Sequence, residues 1–202
     1  MLLKKIDRRS LIELSAGLGL LLAVLLTCGF SSFAKVAAHV RADTLRLHVQ
    51  ANSDSVEDQL LKLRVRDAVL AASAELWGGE QNKQQAMEQA QASLPRLQLL
   101  AEQTVAAAGS RLPVKVYLTN MYFATTRYTD FTLPAGSYDA LRIELGAHAG
   151  KNWFCVLYPG LCLPAAEGEA AYPTSAEQQL VKSEGYEIRF ATLELWERWT
   201  QK

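Results

Sequence analysis

The chain has 202 residues with 21 basic and 21 acidic side chains, so its formal net charge is zero, and half of it is hydrophobic. A neutral chain without a basic block has no electrostatic footprint for nucleic acid. The apolar content excludes wholesale disorder, and about 165 residues beyond the N-terminal segment suffice for one domain with a real core.

Lys4, Lys5, Arg8 and Arg9 precede an apolar run from Leu14 to Phe33 that contains Leu20-Leu21-Leu22-Ala23-Val24-Leu25-Leu26. About twenty such residues span the hydrocarbon core of a bilayer as a helix. Basic residues before the run leave the N-terminus in the cytoplasm and send the rest outside. Ser32-Phe33-Ala34 and Val36-Ala37-Ala38 both place small residues where a signal peptidase cuts. Residues 1–34 therefore read as a signal peptide or membrane anchor, with cleavage and retention both open. Thr27 before Cys28 is larger than the residue usual at a lipoprotein site.

Residues 35–43 read as a short polar stalk. From Thr44 to Ala51, Leu45, Leu47 and Val49 alternate with Arg46, His48 and Gln50, the pattern of a half-buried strand. Asn52-Ser53-Asp54-Ser55 then offers side-chain oxygens that cap a helix, and Ser55 with Asp58 has the spacing of a capping box. The helix is predicted from Val56 to about Trp77, with Leu61, Val65, Ala68, Ala72 and Leu76 as its apolar stripe. Gly78-Gly79 ends it.

A second helix is predicted from Lys83 to Ala108, capped by Asn82. Its stripe is Met87, Ala90, Leu94, Leu97, Ala101, Val105 and Ala108, with a kink or restart expected near Ser93 because Pro95 lies inside it. Strands follow from Val114 towards Thr125 and over Leu141–Leu145, turned by Pro134-Ala135-Gly136-Ser137 and expected to pair antiparallel. Further on, a short helix near Ala176–Val181, a strand at Glu187–Phe190 and a closing helix at Leu193–Trp199 are read. The order implies an α+β fold: after the membrane or signal helix, residues 44–202 form one domain with helices packed on a mainly antiparallel sheet.

Cys155 and Cys162 flank Val156-Leu157-Tyr158-Pro159-Gly160-Leu161. Pro-Gly turns the chain, and in an exported protein two cysteines about a turn read as a disulfide. The alternative is two reduced, buried cysteines acting as small apolar residues. Trp153, Phe154 and Tyr158 crowd the same segment, either as core residues or as aromatic anchors presented to a partner. The exposed helix face around Asp58, Lys62 and Arg66 is a second candidate contact surface. Asn52, Ser53, Asp54 and Ser55 read as caps before they read as functional.

His39, His48 and His148 show no ligand spacing with the cysteines, so no metal site is predicted, and no cofactor motif is present. The Gly-x-Ser-x-Gly elbow, His-Glu-x-x-His and phosphate-loop patterns are absent, so no catalytic residue is assigned. An exported cell-envelope hydrolase, its site assembled only in three dimensions, is the alternative reading.

Three ordered blocks carry a family resemblance. Leu45-Arg46-Leu47 leads to Ala51-Asn52-Ser53-Asp54-Ser55, Asp58-Gln59, Lys62 and Val65-Arg66-Asp67-Ala68-Val69. Pro134-Ala135-Gly136-Ser137-Tyr138 leads to Leu145-Gly146. Asn152-Trp153-Phe154-Cys155 is followed by Pro159 and Leu161-Cys162. Together they resemble the stage II sporulation protein R family over roughly Thr44 to Cys162, and more weakly over Tyr186–Trp199. Phe154 stands where that family often has a second tryptophan, and Gly160 where it has a second proline. The resemblance implies a secreted signal of endospore formation, exported from the forespore into the space between the forespore and mother-cell membranes. It implies as partner a membrane-embedded aspartic protease of the mother cell, which processes the sigma factor E precursor. The family member is then the activating ligand and not an enzyme.

Overall fold

A helix of 35 residues, α1 (Arg8–Ala42), opens the computed structural model, which describes residues 8–76, 82–128 and 131–159. From Arg8 to Cys28 it is long and apolar enough to cross a membrane, and none of that stretch is buried against the protein. Leu14, Leu18, Leu20, Leu21, Leu22 and Leu25 point outwards all round the helix. An apolar surface on every side suits lipid and not one packed face. Residues 35–42, expected as a polar stalk, are instead the last turns of α1. Ala37 and Val40 lie one turn apart on the same side and are fully buried.

The remaining elements are β1 (Leu45–Gln50), α2 (Val56–Leu76), α3 (Lys83–Ala107), β2 (Val114–Phe123), β3 (Thr126–Arg127), β4 (Thr132–Leu133), β5 (Gly136–Leu145) and β6 (Asn152–Tyr158). Four of the strands form a sheet in the order β2-β5-β1-β6, while β3 and β4 make a small separate hairpin. β5 pairs antiparallel with β2 and parallel with β1, and β6 pairs antiparallel with β1. The sheet is thus mainly antiparallel, and the fold is α+β as the element order implies.

One face of the sheet carries Leu47, Val49, Leu141, Ile143, Leu145 and Cys155. On it pack Leu61, Val65 and Val69 of α2 and Leu97, Ala101 and Val105 of α3. Leu45, Ala86 and Ala90 continue the layer towards the end of β6, where Tyr158 closes it. The α3 stripe matches the sequence periodicity at Ala90, Leu97, Ala101 and Val105, while Ala86 and Ser93 are buried where Met87 and Leu94 are expected. The α2 stripe is rotated slightly, with Val69 and not Ala68 at its centre.

Two further expectations change. α3 runs unbroken through Pro95. The proline costs about 3 kcal/mol in a helix interior, but Leu94, Leu97 and Ala101 hold both sides of it against the sheet. β1 is not half-buried: every residue but Gln50 is buried, including Arg46 and His48. Its polar side is covered as fully as its apolar side. The glycine stop at Gly78-Gly79 and every element read beyond Pro159 lie outside the described residues.

Candidate functional site

The β1–α2 junction gathers most of the first sequence block. Ser55 caps α2, its Oγ accepting from Asp58 N at 3.2 Å. The reciprocal half of a capping box is missing. Instead Asp58 Oδ2 accepts from Asn52 Nδ2 (2.8 Å) and Ser53 Oγ (2.5 Å). These hydrogen bonds from Ser53 and Asn52 hold its carboxyl below the usual carboxylate range.

The same loop grips the turn between β5 and β6. Asn52 Oδ1 accepts from Ala147 N (2.8 Å), Asp54 Oδ1 from Lys151 N (2.6 Å), and the carbonyls of Asn52 and Ala51 from Ala149 N and Gly150 N. Gly146 sits at φ 59° with the Asn52 side chain against it, so a Cβ there would collide. Lys62 completes the clamp, with Nζ donating to Gln59 Oε1 (2.6 Å), Lys151 O (3.0 Å) and Asn152 O (3.5 Å). Burial pushes its ammonium pKa down.

Asn52, Ser53, Asp54 and Ser55 each take part in hydrogen bonds within this turn or from it to the β5–β6 turn. Asp58 and Lys62, singled out as contact candidates, are bonded into the same turn, and Lys62 is buried. Arg66 is different. Its guanidinium lies 4.8 Å from the Trp153 ring centre while its Nη2 meets Asp67 at 2.7 Å.

The aromatic segment does not make one surface. Alternation along β6 sends Trp153 to the helix side and Phe154 to the other. Trp153 packs beside the main core, half-buried under Arg66. Phe154 stands 6.0 Å from Phe123, edge to face. Tyr158 packs with Leu45 and Ala86. Cys155 is buried between them, and Cys162 lies outside the described residues. Cys28 on α1 is free and exposed.

The second sheet face is what sequence reading passed over. Arg46 is fully buried, with its guanidinium carbon 3.9 Å from the Phe123 ring centre and 5.1 and 5.2 Å from those of Tyr138 and Phe154. Its Nη2 donates to Thr126 Oγ1 (3.2 Å) and Tyr128 OH (2.9 Å), tying the β3–β4 hairpin over the sheet. Nε and Nη1 have no hydrogen-bond partner. The charge is met by three ring faces where a carboxylate would be usual.

Two residues along β1, His48 is 3 % exposed and packs edge-on against Phe123. Burial first, then Arg142 and Arg46, lower its pKa to about 4. Asn152 Nδ2 lies 3.1 Å from Nε2, while Nδ1 is buried with no hydrogen-bond partner. Beside it Glu144 pairs with Arg142 Nε (2.9 Å) and accepts from Tyr117 OH (2.8 Å). The available signal was an arginine between two leucines in the first sequence block. Its aromatic partners come from β2, β5 and β6, and nothing local in the sequence reports them.

Among the described residues no group of three or more His, Cys, Asp or Glu side chains is placed to hold a metal ion. A shallow groove of about 510 Å³ runs between the outer faces of α2 and α3, over Ala68, Ala71, Ala72, Leu99 and Leu100.

Comparison with known proteins agrees with the blocks that build these sites. Residues 41–167 match the stage II sporulation protein R family. A stage II sporulation protein R of Bacillus subtilis (strain 168) is 36 % identical over 127 residues, covering 62 % of this chain and 57 % of that one. The match thus spans somewhat more than half of that relative's length, and no solved structure matches. The matched region takes in the last two residues of α1, the β1–α2 junction, the four-stranded sheet and both cysteine positions. On that span the chain belongs to the stage II sporulation protein R family.

Proposed function

We propose that this chain is an exported signal of endospore formation. Made in the forespore, it crosses the forespore membrane by way of α1 and places its domain in the space facing the mother cell. There the domain activates a membrane-embedded aspartic protease, which processes the sigma factor E precursor. The observation that supports this reading is the union of a sporulation-family domain with an apolar N-terminal helix preceded by basic residues. The activating contact is a binding event that calls for no cofactor and for no catalysis by the signal itself.

The contact surface proposed is the corner where Arg66 lies over Trp153, next to the edge strand β6. An arginine stacked on a half-buried tryptophan is already ordered, so little side-chain entropy is lost on docking. Asp58 and Lys62 stand behind this corner as its support. Cys155 and Cys162 are proposed to be joined, fixing the chain beyond β6.

The test is processing of the sigma factor E precursor in sporulating cells that lack the gene, complemented with the parent chain or with Arg66→Ala. The parent is expected to restore processing, and Arg66→Ala to reduce it while the exported domain accumulates normally. Processing that continues unchanged without the gene refutes the reading. Restoration by Arg66→Ala at the parental level removes this corner from it.

A further inference from the structure

Two positions on α1 carry the small residues that a signal peptidase reads, ending at Ala34 and at Ala38. The structure treats them differently. Ala37 and Val40 are fully buried, whereas Ala38 and His39 are exposed. Arg41 reaches from the last turn to donate from Nη1 to Ala135 O at 3.1 Å. Its side chain lies across Gly136, at φ 138°, where an added Cβ would strike Arg41 Cδ and Nε. Thr44 Oγ1 donates to Val40 O (2.5 Å), and Asp43 N to His39 O (2.9 Å), so the helix end is tied into β1. The final two turns are thus built into the domain against the start of β5.

We infer that residues 37–42 belong to the folded domain and that, in the folded protein, the position after Ala38 is closed to processing. A peptidase reads its substrate as an open, extended segment, so cleavage inside a packed helix waits on local unfolding. A cut after Ala38 would also strip Ala37 from beneath the domain and leave Val40 and Arg41 on a frayed end. A cut after Ala34 leaves the packed turns whole. If α1 is kept, the domain is carried close to the bilayer: Ala37 lies nine helical steps beyond Cys28, about 14 Å of rise.

The test uses the full chain in an exporting host, reading the N-terminus of the exported protein by intact mass and its amount by immunoblot. A protein beginning at Met1 or at Lys35 supports the inference. A folded, accumulating protein beginning at His39 overturns it. Two substitutions separate packing from peptidase recognition. Ala37→Arg is expected to lower the amount of exported domain at least fivefold, because the buried site cannot take the side chain. Ala38→Arg is expected to leave both N-terminus and amount unchanged. A changed N-terminus in Ala38→Arg, or parental amounts of Ala37→Arg, overturns the inference.

Discussion

At the scale of single residues, buried polar groups decide how this domain responds to substitution and to acid. Asp58 accepts two side-chain hydrogen bonds that join the β1–α2 loop to the helix start. Asp58, only half-buried, is still the shared acceptor of Asn52 and Ser53, and Asp58→Ala is expected to cost roughly 0.5–1.5 kcal/mol, read as a lowered urea midpoint of the purified domain. His48 gives a pH dependence of definite sign. Its pKa falls from 6.5 to about 4 in the fold, so the unfolded chain takes up the proton first. The stability owed to the neutral ring is complete above about pH 6.5 and is lost as pH falls towards 4, by about 3 kcal/mol at most. His48→Gln is expected to flatten that window, checked by urea unfolding at pH 7 and pH 4.5. The acid loss due to Asp58 falls lower, below its ordinary value of 3.8. The capping serine was legible in the sequence because its bond spans three residues. Arg46 was not, because its ring partners lie beyond residue 120 and the alternation of β1 reads as a solvent face.

At the scale of elements, periodicity found the helices and missed what packing overrides. α3 stays whole across Pro95 because its stripe is clamped to the sheet on both sides. Pro95→Ala removes an interior proline from a helix already in place, and is expected to raise stability by roughly 1–3 kcal/mol, seen as a higher thermal midpoint. β6 shows the opposite case. Five aromatic and apolar residues in one short segment invite a single surface, but strand alternation divides them between two faces. Trp153 is half-buried, so Trp153→Ala is expected to cost about 2 kcal/mol, below the 3–5 of a fully buried ring. A loss of that size measured by urea unfolding leaves a folded domain in which the Arg66 corner can be assayed directly.

At the scale of the whole molecule, the basic N-terminus and apolar α1 give one orientation. A reporter active only in the cytoplasm, fused after Lys202, is expected to be silent, and a cytoplasmic signal from that fusion reverses the orientation. An apolar N-terminal helix and an α+β class were legible because apolar length and element order are properties of long segments. The end of the membrane part was not, because Lys35, His39 and Arg41 look like a solvated spacer. The burial of Ala37 and Val40 becomes visible only in the folded structure.

The position of β1 sets an order of events during export. On the proposed export route it is the first described strand to emerge, yet both neighbours, β5 and β6, come from the far end of the described chain. Leu45, Leu47 and Val49 therefore emerge with no strand to pair with, while α2 and α3, adjacent in sequence, are free to associate early. The sheet closes late, around a strand that has been waiting, and the loop-closure entropy is met in one step near the end of transit. A chain arrested before Asn152 would present β1 with an unfilled edge to every protease in the envelope.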